Sequence, residues 1–201
     1  MLEYPGKSIG IGVGARYNCN CANLTLQNGD RVDWTDSCRY LGVYLVGAQS
    51  FRCSFHEARA SFYRAFNGIF GKVGRCASED VVLSLVTSKC LPVLLYATEV
   101  CPLLSRDLSS ILFALTRVLM KFFCSRSNDV INECRAVFGI LPIKQQMQIQ
   151  KMRFLQNVID SDNTVCSLFV RDATSELLCL CNAYSANERN IIETVIQCGM
   201  A

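Results

Sequence analysis

Hydrophobic positions along this chain change period near residue 54. Before that point Leu24 and Leu26 alternate with polar residues, and so do Val32 and Trp34, on either side of Gln27-Asn28-Gly29-Asp30. A period of two belongs to a strand with one covered face. Asn-Gly tolerates the positive φ angles of a type I′ turn, so the pattern predicts a hairpin with those four residues on one face. Tyr40–Leu45 predicts a third strand and Ile9–Tyr17 a fourth. A sheet this small leaves a face for helices or a partner domain to cover.

From Ser54 onward the period is helical. Ser54, with Glu57 three residues later, predicts the capped start of a helix over Phe55–Gly71. Phe55, Phe62, Phe66, Ile69 and Phe70 form its apolar stripe. Ser78 caps a second helix, favoured by Glu79 and Asp80 at its positive end, which Pro92 kinks or ends. Ser105 caps a long helix to about Phe123, with Leu108, Ile111, Leu112, Leu115, Val118, Leu119 and Phe122 inward. Asn128 caps the next, which Gly139 stops. Pro142 sits at the first turn of a helix to about Ile159. Two more follow, Asn163–Ala183 with a break and Ala186–Cys198. The fold class expected is α+β, a small antiparallel β-sheet at the N-terminus followed by a mainly α-helical bundle.

Composition changes this picture little. Apolar residues make up 51% of the 201 positions and charged residues 18%, which is globular composition with enough chain to bury a core. The formal charge of +3 does not by itself imply a nucleic-acid partner. Its distribution says more: residues 1–127 carry 14 Lys/Arg against 9 Asp/Glu, and residues 128–201 carry 6 against 8. The opening Met1-Leu2-Glu3-Tyr4-Pro5-Gly6 has no basic or apolar leader pattern, so the 13 cysteines are expected to be reduced, mostly small buried apolar residues. The most apolar window, Leu91–Leu104, is too short and too interrupted by Pro92, Glu99 and Pro102 to span a bilayer. These features predict an intracellular protein, cytoplasmic or nuclear, with no membrane partner.

Three constellations invite chemistry and fail on spacing. Gly10, Gly12 and Gly14 alternate with strand residues instead of opening a helix as a dinucleotide fingerprint does. Cys19-x-Cys21, Cys38, Cys53 and His56 lack the paired spacing of a zinc site, and Cys179-x-Cys181 has no nearby histidine. Cys53 and His56 lack a third group to orient a base, and no catalytic residue is assigned. Basic residues offer more. Arg52, Arg59, Arg64, Lys72 and Arg75 lie on or beside the first helix, and in helical projection Arg52 and Arg59, with Lys72 or Arg75, could share a polar face opposite the phenylalanines. Such a face contacts nucleic-acid phosphates without reading sequence, or is simply the solvated side of an amphipathic helix. Tyr44 and Tyr63 could add stacking or belong to the core.

Several segments in this order resemble the end of a non-LTR (LINE-type, jockey-like) retrotransposon reverse transcriptase. They are Lys7-Ser8, Gly14-x-Arg16, the Asn-Gly hairpin, Tyr40-Leu41-Gly42-Val43, Phe66-Asn67-Gly68-Ile69-Phe70, Leu91-Pro92-Val93-Leu94-Leu95-Tyr96 and Phe138-Gly139-Ile140-Leu141-Pro142. The resemblance implies a palm remnant with a primer-grip strand over 1–50, thumb-like helices over 51–127 and a C-terminal helical region over 128–201. It implies that Tyr40, Leu41 and Gly42 belong to the primer grip and that the helix with Arg59 and Arg64 packs beside a template–primer duplex. The partners implied are an RNA–DNA or RNA template–primer duplex and the missing palm and fingers of the parent polymerase. The family's Phe/Tyr-Ala-Asp-Asp metal site has no match here. The parent would need Mg2+ on those aspartates, so no cofactor is expected in this chain and it should not polymerise alone. The departure from the family before Lys7-Ser8 suggests a truncated element or an incomplete gene. A sheet without the rest of its palm is expected to expose apolar surface. The competing readings are a helical protein-interaction module, an inert remnant, or a metal scaffold on the cysteines.

Overall fold

The computed structural model describes residues 8–27, 29–73, 76–185 and 190–200. Small sheets come first and helices follow, an α+β arrangement. The chain divides into two compact units, Met1–Glu57 with Cys101–Leu103, and Ala58–Val100 with Leu104–Ala201.

The first unit holds two three-stranded sheets. In one, β1 (Ile9–Gly10) runs parallel to β3 (Arg31–Trp34), and β2 (Leu24–Thr25) runs antiparallel to β3 on its other side. The other is an antiparallel meander of β4 (Ser37–Tyr40), β5 (Val43–Val46) and β6 (Arg52–Ser54). The strand expected over Ile9–Tyr17 is therefore cut short. Val13 makes only an isolated bridge to Ala48, Gly14 takes a φ of 120°, and the Tyr17 N–H turns back onto the Gly14 carbonyl at 3.0 Å.

The β2–β3 register settles a conflict in the sequence. A two-residue Asn-Gly turn would set Leu24 opposite Asp33, on the face away from Val32. Instead Leu24 pairs with Val32 and Thr25 with Arg31. The Leu26 N–H bonds the Asp30 carbonyl at 2.8 Å, and the Gly29 N–H bonds the Leu26 carbonyl at 2.9 Å. Three positions thus lie between Leu26 and Asp30, a three-residue loop with Gly29 at a φ of 88°. This register keeps Leu24, Leu26, Val32 and Trp34 on one face, so the apolar alternation wins over the turn dipeptide. Asn28 itself lies outside the described residues.

The type I′ geometry appears elsewhere. Tyr40–Leu45 is not one strand: Tyr40 pairs with Val43 across a two-residue turn in which Leu41 has a φ of 46° and Gly42 a φ of 85°. Leu41 is 73% exposed, so little packing offsets its left-handed backbone. Leu41→Asn should raise the unfolding free energy by about 0.5–1 kcal/mol, because asparagine accepts this conformation more readily than leucine. Urea titration reads the effect as a higher midpoint; a lowered one would show that the leucine side chain is what holds this turn.

Apolar side chains in this unit are widely exposed. Ile9, Val13, Leu24, Trp34, Tyr40 and Leu41 are between 40% and 73% accessible, whereas Cys53, Phe55 and Cys101 are buried.

The second unit is helical. α1 (His56–Val73) begins at the end of the first unit and contributes its length from Ala58 onward. α2 (Glu79–Leu85) passes through a π-helical turn, Val86–Cys90, into α3 (Leu91–Leu94). In that turn the Leu91 N–H reaches back five residues to the Val86 carbonyl. The widening precedes Pro92, which has no N–H and whose ring crowds the turn before it. The Thr87 and Ser88 hydroxyls take up the Ser84 carbonyl at 3.1 and 2.6 Å. Pro92 therefore changes the helix pitch, and the run ends two residues later.

α4 (Ser105–Phe122), α5 (Asn128–Val137), α6 (Ile143–Ile159), α7 (Thr164–Ser167), α8 (Val170–Ala183) and α9 (Ile191–Met200) complete the chain. Several caps fall one or two residues from where the sequence puts them. Ser54 lies in β6 and accepts the His56 N–H at 3.5 Å. Ser78 occupies the cap position of α2 without a side-chain bond. Leu104 precedes α4, its N–H bonded to the Asp107 carboxylate at 3.4 Å, and Ser127 precedes α5. Pro142 precedes α6 rather than entering its first turn. Gly139 ends α5 as expected: at a φ of 62°, its N–H bonds Ala136 at 3.1 Å and the next N–H, of Ile140, bonds Arg135 at 2.8 Å. The break expected after Asn163 falls at Leu168–Phe169, and Ala186 lies outside the described residues.

α6, α8 and α9 share a core of Met152, Leu155, Ala173, Leu177, Ile191 and Val195, with Cys181 buried among them. Cys179, two residues earlier, faces out. The Tyr184 hydroxyl donates to Gln148, and burial, with Cys198 nearby, raises its pKa.

Candidate nucleic-acid interface

α1 and α4 lie side by side and run parallel. Their side-chain pairs ascend together: Arg59 with Ser110, Asn67 with Lys121, Phe70 with Phe122. Phe62 and Phe66 of α1 are buried, as are Ile111, Ala114, Leu115, Val118 and Leu119 of α4. This is the apolar stripe the sequence shows. Aromatic rings continue it, Phe70 to Phe122 at 6.3 Å, Phe122 to Phe123 at 4.9 Å and Phe123 to Phe138 at 5.6 Å.

An open groove of about 720 Å³ follows one side of this seam. Tyr63, Phe66 and Asn67 form its α1 wall; Phe113, Arg117 and Lys121 form its α4 wall, with Arg126 at the end. Residues 113, 117 and 121 recur every four positions, so they stack in one row along α4. Arg117 lies over the Phe113 ring at 5.9 Å. Lys121 sits over Phe66 and Phe70, 5.7 and 5.6 Å from their centroids, and donates to Asn67 Oδ1 at 2.9 Å. Cation–π contacts of this kind hold the ammonium in place without neutralising it. Among the described residues no carboxylate lines the groove. The sequence explains why: residues 58–78 and 108–128 contain no Asp or Glu but carry Arg59, Arg64, Lys72, Arg75, Arg117, Lys121 and Arg126.

The residues singled out from the sequence fare differently. Arg59 does not share a polar face opposite the phenylalanines. It stands three and seven residues before Phe62 and Phe66, which puts it on their side of the helix. There it is half-buried and donates to the Ser110 hydroxyl on α4. Arg52 is in strand β6, so helical projection does not apply to it. Arg64 is exposed, bonds Ser61 at 2.9 Å, and is not among the residues that line the groove. Lys72 is exposed, nine residues or two and a half turns past Tyr63, on the far side of α1. Arg75 lies outside the described residues, as does Lys7. Tyr40, Leu41 and Gly42 form the exposed tip of the β4–β5 hairpin in the first unit. Tyr63 lines the groove, while Tyr44 is half-buried in β5. Phe113, Arg117, Lys121 and Arg126 were legible only as an acid-free stretch with a four-residue aromatic-cation-cation spacing.

No family model, curated protein or solved structure matches this chain. The site therefore rests on its own chemistry.

Among the described residues no three His, Cys, Asp or Glu side chains gather as a metal-binding group. No disulfide links the cysteines among the described residues, and Cys19 and Cys21 are both exposed. Among the described residues no helix is long and apolar enough to cross a membrane. A further cation, Arg135, has its Nε and Nη2 buried without a hydrogen-bond partner among the described residues, and burial lowers its pKa. It is not part of the groove wall.

Proposed function

We propose that this chain is the primer- and template-gripping part of a retrotransposon RNA-directed DNA polymerase, with no catalytic centre of its own. The observation that carries the reading is the acid-free groove on parallel α1 and α4, where Arg117, Lys121 and Arg126 converge beside aromatic rings. Two cations in a row on α4 and a third just beyond its end match the spacing-tolerant, sequence-independent demand of a phosphate backbone. The resemblance supplies the partner: an RNA–DNA or RNA template–primer duplex, held together with the parent's palm and fingers, in the cytoplasm or nucleus. Tyr40, Leu41 and Gly42 belong to the primer grip in this reading, and the parent's Mg2+ stays with the palm.

A fluorescent RNA–DNA hybrid titrated at several salt concentrations tests the proposal. With three or four cations neutralising phosphates, log K should fall against log salt with a slope of about −3. A folded chain that binds no hybrid at low salt sinks it. The function would then pass to the second reading, a helical protein-binding module. That reading is favoured by the exposed apolar run Val165, Leu168 and Phe169, which are 63%, 75% and 56% accessible.

A further inference from the structure

The groove contains one feature that duplex binding does not need. Phe113 is 61% exposed although it sits on a helix with a fully formed apolar stripe. Its ring stands in a row with two cations on α4, lies under Arg117, and lines the same groove as Tyr63 and Asn67. In a duplex each base face is covered by its neighbours, and only sugar, phosphate and base edges are presented to a protein. An unpaired nucleotide offers both a phosphate and a free base face. Aromatic side chains interleaved with cations are the complementary surface for that ligand and bring a duplex no stacking gain. The groove's volume, about 720 Å³, falls within the range of sites that enclose a small ligand, roughly 300–1,000 Å³.

We infer that the α1–α4 groove takes an unpaired stretch of the nucleic acid, with a base stacked on Phe113 and its phosphates on Arg117 and Arg126. This rests on the reading of the groove as a nucleic-acid site, and names which form of nucleic acid enters it. Lys121 plays a different part. Its ammonium is already held by Asn67 and two rings, so it fixes the charge at the seam while the two arginines meet the strand.

Two probes separate the inference from the reading beneath it: a blunt RNA–DNA hybrid, and the same hybrid with a short single-stranded RNA extension containing 2-aminopurine. The wild-type chain should bind the extended hybrid about tenfold more tightly, and 2-aminopurine emission should fall on binding as the base stacks. In Phe113→Leu, which keeps apolar bulk and removes the ring, the ratio of the two affinities should collapse towards one and the quenching should vanish. Phe113→Ala should do the same. Equal wild-type affinity for the two hybrids would overturn the inference and leave the duplex reading standing. So would a preference that survives both substitutions. Failure to bind either hybrid at low salt would overturn both.

Discussion

Phe66→Ala is expected to remove about 3–5 kcal/mol of unfolding free energy, the cost of deleting a fully packed aromatic side chain and leaving its cavity. Phe66 is 1% exposed, stacks on Phe70 with centroids 5.4 Å apart, and lies under the Lys121 ammonium. The substitution removes apolar burial, a ring pair and a cation–π interaction together. A domain of this size has about 5–15 kcal/mol in total, so the variant would sit close to its unfolding threshold. Urea unfolding followed by circular dichroism measures the loss. The matched control is Phe113→Ala on the facing helix, an exposed ring whose removal should shift stability by no more than about 0.5 kcal/mol. Equal effects at the two positions would mean that the α1–α4 seam is not the packed element on which the groove is built.

The seam was readable because it depends on periodicity alone. Phe62, Phe66, Ile111, Leu115, Val118 and Leu119 recur at helical spacing, and burial follows from that spacing. The hairpin face was readable for the same reason, whereas its turn was not. The Asn-Gly pair suggested one loop length and the apolar alternation another, and the register follows the alternation although Leu24 and Trp34 remain exposed. The Leu41-Gly42 turn was hidden because leucine rarely adopts a positive φ, which leaves Gly42 as the one mark of a reversal in Tyr40–Leu45. The sequence places Arg59 on the outside because arginine usually is. Its hydrogen bond to Ser110 depends on which helix packs there, which no single helix's pattern contains. The groove cations were missed for a related reason. Arg117, Lys121 and Arg126 look like ordinary solvated charges until α1 is brought alongside α4.

That placement separates a binding surface from general positive charge. Arg117→Glu with Arg126→Glu should lower affinity for an RNA–DNA hybrid by on the order of 100-fold at low salt, two charge-assisted hydrogen bonds at about 1.5 kcal/mol or more each. The salt slope should flatten by about two units, one for each phosphate no longer neutralised. Lys72→Glu changes net charge by the same amount per site but stands on the far side of α1, so it should leave slope and affinity close to wild type. Arg59→Glu is the wrong control, because a half-buried residue bonded to Ser110 would report on packing as much as on binding. Fluorescence anisotropy across a salt series distinguishes the cases. If the Lys72 variant weakens binding per charge as much as the double variant does, the hybrid is responding to overall charge. The groove would then lose its claim to hold the strand, whatever its shape. If only the groove variants flatten the slope, the binding is local, and it lies in the groove that no carboxylate lines among the described residues.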